Sequence, residues 1–121
     1  MNAENFNKML NMLIQATKEK KIEWQEITMH APGFLTEVGG CQVKILSDYD
    51  LQLEESSYVI SLLNPDGRVF STISYSESDD SVEYKIVDEL YNTIRDVMYR
   101  ISESEDLILN SLQKLTGIDK R

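Results

Sequence analysis

Apolar residues recur every three or four positions at both ends of the chain, which is the spacing of amphipathic helices. Near the N-terminus the stripe Phe6, Met9, Leu10, Leu13 and Ile14 predicts a helix over residues 3–20. A second stripe predicts a helix over about residues 81–101 and then lapses at residues 102–106. The pattern resumes and predicts helical structure over about 103–116, as either a separate helix or the second half of a kinked one.

Short segments in the middle of the chain alternate apolar and polar residues, which indicates antiparallel strands. Candidate strands cover about residues 22–27, 34–38, 41–47, 57–63 and 68–75. Gly39-Gly40 fits a two-residue hairpin turn, and Asn64-Pro65-Asp66-Gly67 predicts a turn with Gly67 in the left-handed conformation.

The predicted fold class is therefore α+β. We expect an N-terminal helix, an antiparallel meander of three to four strands, and a C-terminal helix or kinked helix pair packed on one face of the sheet. Trp24 should lie where the helices meet the sheet. Asn2 is the predicted N-cap of the first helix, and Asp80, three residues before Glu83, that of the second. Residues 48–56 are predicted to be a loop or a ragged strand end.

The composition is informative mainly through the net charge of the chain. The 121 residues, which we interpret as a single domain over 1–121, carry 12 Lys and Arg against 21 Asp and Glu, a net charge of −9. Almost all of the excess lies in residues 22–82. Such acidity argues against direct binding to nucleic acid or to an anionic membrane, because phosphate contacts need Lys and Arg. One cysteine and the lack of a long apolar run favour a cytoplasmic protein.

The inventory of reactive side chains offers little chemistry. His30 and Cys41 are the only residues of their kinds, so a four-ligand zinc site is excluded and no metal, cofactor or catalytic residue is predicted. A nucleophile–base pair of these two is less favoured than a buried strand thiol and a loop histidine. Asp48-Tyr49-Asp50 begins like a calcium loop, but Leu53 and Val59 stand where Gly and Glu are required.

Acidic loops and helix-margin tyrosines are the remaining candidates for function. Exposed carboxylates can steer a basic partner, and Tyr is enriched at protein interfaces. The candidate partner surface comprises Asp48, Asp50, Glu54, Glu55, Glu77, Asp79, Tyr84 and Tyr99.

Several short motifs in order resemble a group of small uncharacterised bacterial α+β proteins known as orphan reading frames. They are Leu13-x-x-Ala16-Thr17, Lys21-Ile22-x-Trp24, Gly33-Phe34-x-Thr36, Gly40-x-x-Val43-x-Ile45, Tyr58-x-x-x-Leu62, Asp66-Gly67, Leu90-Tyr91-x-x-Ile94-Arg95 and Ile108-x-x-x-Leu112-x-x-Leu115. The resemblance implies a bacterial, soluble protein with a helix, a small sheet and a C-terminal helical region. It implies no catalytic residue.

These observations favour a non-enzymatic protein-interaction module that presents its acidic sheet region or its C-terminal helix. Its partner would be another protein, with a basic surface, or a second copy in a homodimer. An immunity or antitoxin-like protein, a phage-defence accessory factor or a regulatory subunit would fit. The alternatives are a secretion-chaperone-like protein, a nucleic-acid mimic, and a small enzyme or nucleotide-binding protein that uses Cys41, His30 or a carboxylate pair.

Overall fold

The computed structural model describes residues 2–28 and 32–117, which form an α+β fold as predicted. Five strands are present, where the sequence predicts three to four. In chain order the elements are α1 (Ala3–Lys18), β1 (Trp24–Ile27), β2 (Gly33–Val38), β3 (Cys41–Asp50), β4 (Glu55–Leu63), β5 (Val69–Ser76), a 3-10 turn (Glu77–Asp79), α2 (Val82–Tyr99) and α3 (Ile101–Thr116).

The sheet is an antiparallel meander in the order β1-β2-β3-β4-β5, so each strand pairs with its neighbours in sequence. The central hairpin of β3 and β4 is longer than the sequence predicts, because pairing continues through Asp48 with Ser57 and Asp50 with Glu55. The predicted loop over residues 48–56 is therefore reduced to the turn 51–54. Polar side chains are compatible with these strand ends because both are largely solvated.

The helices α1 and α2 cover one face of the sheet and form a single core with it. Phe6 of α1 packs on Tyr75 of β5, while Tyr91 of α2 packs on Phe34 of β2 and Tyr58 of β4. The deepest side chains are Leu10, Phe34, Ile45, Ile60, Val87, Leu90 and Ile94. The predicted position of Trp24 is confirmed: its indole N–H donates to Thr17 Oγ1 over 3.0 Å, which ties β1 to α1.

Turn and cap positions follow local chemistry, with one correction. Asn2 caps α1 as predicted, its Oδ1 accepting from the Asn5 amide at 2.8 Å. Gly67 has φ of +84°, the left-handed conformation that the turn requires. The predicted cap Asp80 is wrong, because the hydroxyl of Ser81 accepts from the Tyr84 amide at 3.0 Å. Asp80 instead turns the chain with φ of 48° before the helix begins.

The C-terminal helical region is two helices, and only the first packs on the sheet. Arg100 takes a left-handed φ of 51° and separates α2 from α3. The Asp96 carboxylate then accepts from the amide and the hydroxyl of Ser102, at 3.0 and 2.7 Å. Because the chain changes direction here, α3 packs mainly against α2 and buries no side chain. The prediction that the whole helical pair lies on the sheet is wrong for α3.

Candidate interaction surfaces

The acidic residues of two separate chain segments meet at one end of the sheet. The carboxylate of Glu55, at the start of β4, accepts from the amide of Ser78 at 3.1 Å and from its hydroxyl. This bond holds the 3-10 turn, with Glu77 and Asp79, beside the β3–β4 hairpin. Asp79 also accepts from the Ser76 amide at 2.9 Å, which ends β5. Local hydrogen bonding thus explains why these carboxylates cluster.

The tip of that hairpin carries the other predicted carboxylates together with exposed apolar side chains. Asp50 Oδ1 accepts from the amides of Gln52 and Leu53, at 2.8 and 3.1 Å, and so shapes the turn. Leu51 and Leu53 are 83% and 69% exposed, although the sequence alone gave no reason to single them out. We define the acidic tip as residues 48–55: an exposed segment that combines Asp48, Asp50, Glu54 and Glu55 with these leucines.

The two predicted tyrosines lie at opposite ends of α2. Tyr84 packs beside Tyr58 at a ring distance of 5.6 Å, near the acidic tip. Burial raises the pKa of Tyr84, and the carboxylates of Asp88, Glu77 and Glu55 add to the effect. Tyr99 instead lies against Phe34, with ring centroids 6.2 Å apart. The structure therefore brings seven of the eight candidate residues to one end and leaves Tyr99 apart.

A tyrosine–aspartate pair joins α2 to the sheet. The Tyr58 hydroxyl donates to Asp88 Oδ1 over 2.5 Å. Burial raises the pKa of Tyr58 far above its ordinary range, and the hydrogen bond to the Asp88 carboxylate raises it further. A hydroxyl that keeps its proton is a poor base, so this pair serves as an anchor between β4 and α2.

Sequence analysis missed the exposure of the apolar face of α3, which carries more exposed large apolar side chains than any other element of the described chain. Five large side chains of α3 are each more than half exposed: Leu107, Ile108, Leu109, Leu112 and Leu115. The sequence interpretation treated them as the continuation of the α2 stripe and therefore as core. The signal that could have revealed them is the consecutive run 107–109, which is wider than one side of a helix can bury.

A second missed surface is a shallow apolar groove between α1 and the β2–β3 end of the sheet. Its volume is about 470 Å³, and Lys8 lies among its lining side chains. We define the α1 groove by Met9, Met12, Leu13, Ala16, Ile22 and Val38. It continues into a smaller recess of about 170 Å³ beside Cys41 and Phe70. The cysteine is only partly buried there, less than the strand pattern predicts, because it begins β3 at the hairpin turn.

A further cleft is lined mostly by polar and charged residues, whose charges compensate one another. It holds about 620 Å³ where the end of α1 meets α2 and the start of α3. Lys18 lies 3.8 Å from Glu89, and Arg100 pairs with Glu103. These pairs leave little net charge to attract an ionic ligand, and all four side chains are well exposed.

Reactive chemistry is sparse in the part of the chain that the structure describes. His30 lies outside the described residues, so the structure does not test the less favoured alternative in which it forms a nucleophile–base pair with Cys41. Within residues 2–28 and 32–117, no three His, Cys, Asp or Glu side chains are placed to hold a metal ion. Among those same residues no helix has the length and apolar character needed to cross a membrane.

The chain matches no protein-family model, no curated protein and no solved structure.

Proposed function

We propose that this protein is a non-enzymatic protein-interaction module and that α3 is its binding element. One observation carries the proposal: the helix is amphipathic, yet five of its six large apolar side chains are more than half exposed. Contiguous exposed apolar surface on a small protein typically marks a site of association. A partner that covered this face would remove several leucine side chains from water at once.

The physics of short helices supports the same proposal. Isolated helices of about 12–15 residues are marginal in water, and most helical stability in proteins comes from packing of the apolar face. The 16-residue α3 has a cap from Asp96 and a few contacts with α2, but it lacks buried side chains of its own. A bound partner would supply the packing that the rest of the chain does not.

The test compares two substitutions at equally exposed apolar positions. Ile108→Glu places a charge on the α3 face, where the side chain is 61% exposed, and Val82→Glu does so at the start of α2, where it is 64% exposed. Neither change should unfold the core. Proteins retained on tagged wild-type and variant chains are quantified by mass spectrometry, with untagged copies of the chain included.

We expect Ile108→Glu to lose most of the proteins that the wild type retains, at least tenfold for a direct partner, and Val82→Glu to keep them. Equal retention by all three chains would contradict the proposal. Retention lost equally by both variants would show a general effect of added charge and would also contradict it.

The acidic tip supports a second candidate, in which the partner has a basic surface. Leu51 and Leu53 are well exposed and lie between carboxylates, so a basic partner with an apolar patch could contact both kinds of side chain. Charges at the rim of an interface mainly accelerate association.

For a partner of this kind, neutralising four carboxylates of the acidic tip should slow association several-fold and weaken its salt dependence, as measured by surface plasmon resonance. The combined change is Asp48→Asn, Asp50→Asn, Glu54→Gln and Glu55→Gln. An unchanged association rate would remove this candidate.

A further inference from the structure

Two exposed apolar surfaces of this chain carry opposite charge. The helix α3 bears three acidic residues, Glu103, Glu105 and Asp106, and a single basic one, Lys114. The charged side chain in the lining of the α1 groove is Lys8, whereas Lys18 pairs with Glu89 on the other side of α1. A helix flanked by carboxylates and an apolar groove with a lysine in its lining are complementary in both polarity and charge.

The dimensions of the two surfaces also agree. The groove follows α1 from Asn5 to Ala16, a length of about 16 Å at 1.5 Å per residue. The exposed apolar face of α3 extends from Ile108 through Leu112 to Leu115, a length of about 11 Å. Spacings of four and three residues place these three side chains on one side of the helix. Laid along the groove, this face would therefore contact apolar side chains over its whole length.

The groove and α3 of the same chain lie on different sides of the molecule. The side of α1 that meets α2 is marked by the hydrogen bond from Asn7 to Glu83 and by the ion pair of Lys18 with Glu89. The groove is formed by the stripe Asn5, Met9, Met12 and Ala16 on the opposite side of α1. Since α3 packs mainly against α2, its apolar face is left exposed by the described part of the chain.

We propose that α3 of one copy binds in the α1 groove of a second copy, and that the exchange is reciprocal in a two-fold symmetric dimer. This inference rests on the proposed function and names its partner. Closed two-fold dimers are the commonest oligomers, and reciprocal exchange uses the contact twice. Each copy would contribute roughly a dozen residues, fewer than the 20–30 of a standard interface, so the dimer should dissociate in the micromolar range.

Charge distinguishes this arrangement from direct pairing of two α3 helices. Pairing of α3 with α3 brings together two helices that each have three acidic residues and one basic residue. Binding in the α1 groove brings the same acidic helix beside Lys8. Opposite charges favour the second arrangement, and added salt screens that preference.

Sedimentation velocity on the full chain from 1 to 200 μM tests the proposal. We expect the wild type to shift from one-chain to two-chain mass over this range. Ile108→Glu in the helix and Met12→Glu in the groove alter side chains that are 61% and 62% exposed, so both variants should fold. Each should weaken dimerisation at least tenfold, while the control Val82→Glu should dimerise as the wild type does.

Mixing the two variants provides the most specific measurement. The Ile108→Glu chain keeps an intact groove and the Met12→Glu chain keeps an intact helix, so a mixture should recover one of the two contacts. We expect mixed dimers at high concentration, detected by energy transfer between differently labelled chains. Neither variant alone should give that signal.

Three outcomes would overturn the inference. A wild type that stays monomeric throughout the range excludes a dimer of this strength. Normal dimerisation of Met12→Glu with loss for Ile108→Glu would show that two α3 helices pair directly. Dimers unaffected by either variant would place the contact elsewhere. The proposed function fails separately: it survives a monomeric wild type if Ile108→Glu still loses a captured protein of another kind, and it fails if capture is unchanged.

Discussion

The helices α2 and α3 are adjacent, similar in length and comparably amphipathic, yet they have opposite relations to the rest of the molecule. The 18-residue α2 buries Val87, Leu90, Tyr91 and Ile94, whereas the 16-residue α3 buries nothing. Helical periodicity therefore predicts that a segment has an apolar face. Whether that face is buried depends on the direction of the helix relative to the sheet, and the chain changes direction at Arg100.

The largest effect that separates the two helices is the cost of removing an apolar side chain. Ile94→Ala should lower the free energy of unfolding by about 2–5 kcal/mol, because the deletion leaves a cavity in a fully buried site. Ile108→Ala should change it by less than about 0.5 kcal/mol at a protein concentration where the chain is monomeric. Urea unfolding of both variants measures the contrast. Similar losses would mean that α3 packs into the core.

A second measurement concerns the anchor that α2 has and α3 lacks. Tyr58→Phe removes the hydrogen bond to Asp88 and should cost about 1–2 kcal/mol at neutral pH. The raised pKa of Tyr58 favours folding while the hydroxyl is protonated in both states, and this contribution is lost as pH rises above about 10, the ordinary tyrosine value. The stability difference between wild type and variant should therefore narrow above that pH. A difference that stays constant to pH 11 would show that the bond is not formed.

The smallest effects are expected at two helix N-termini. In each, a side-chain oxygen accepts from a backbone amide, but one helix packs in the core and the other does not. Asn2 caps α1, which is core, and Asp96 accepts from the Ser102 amide at the start of α3. Asn2→Ala should cost about 1 kcal/mol of global stability. Asp96→Ala should leave the unfolding midpoint nearly unchanged and instead speed amide hydrogen exchange within α3. If Asp96→Ala leaves the amide hydrogen exchange of α3 unchanged, the helix is stabilised by another contact.

Much of the fold could be predicted from the sequence because local chemistry determines it. The turn at Gly67, the cap at Asn2 and the alternation around Val43 and Ile45 depend on near neighbours, and the structure confirms them. Trp24 was predictable as well, since a large amphipathic ring usually finds a buried partner.

The interaction surfaces were less predictable because they depend on distant parts of the chain. The spacing 94, 98, 101, 108, 112 and 115 continues one stripe across Arg100, and arginine gives no sign of a left-handed conformation. The extra length of β3 and β4 arises because strand pairing tolerates polar residues at a solvated end. The sequence was sufficient to identify the acidic carboxylates. The hydrogen bond between Glu55 and Ser78 that brings the two acidic segments together could be seen only in the structure.

One of the two edge strands of the sheet, β5, affects the tendency of the protein to aggregate. β5 is an edge strand whose eight residues, Val69–Ser76, contain no charge and no proline, and its free side pairs with no other strand of the described chain. Such an edge is a template for intermolecular strand addition. Arg68 and Glu77 flank it as gatekeepers, and a net charge of −9 keeps molecules apart at neutral pH. That repulsion vanishes near the isoelectric point of about 4.5, where edge-to-edge aggregation should begin.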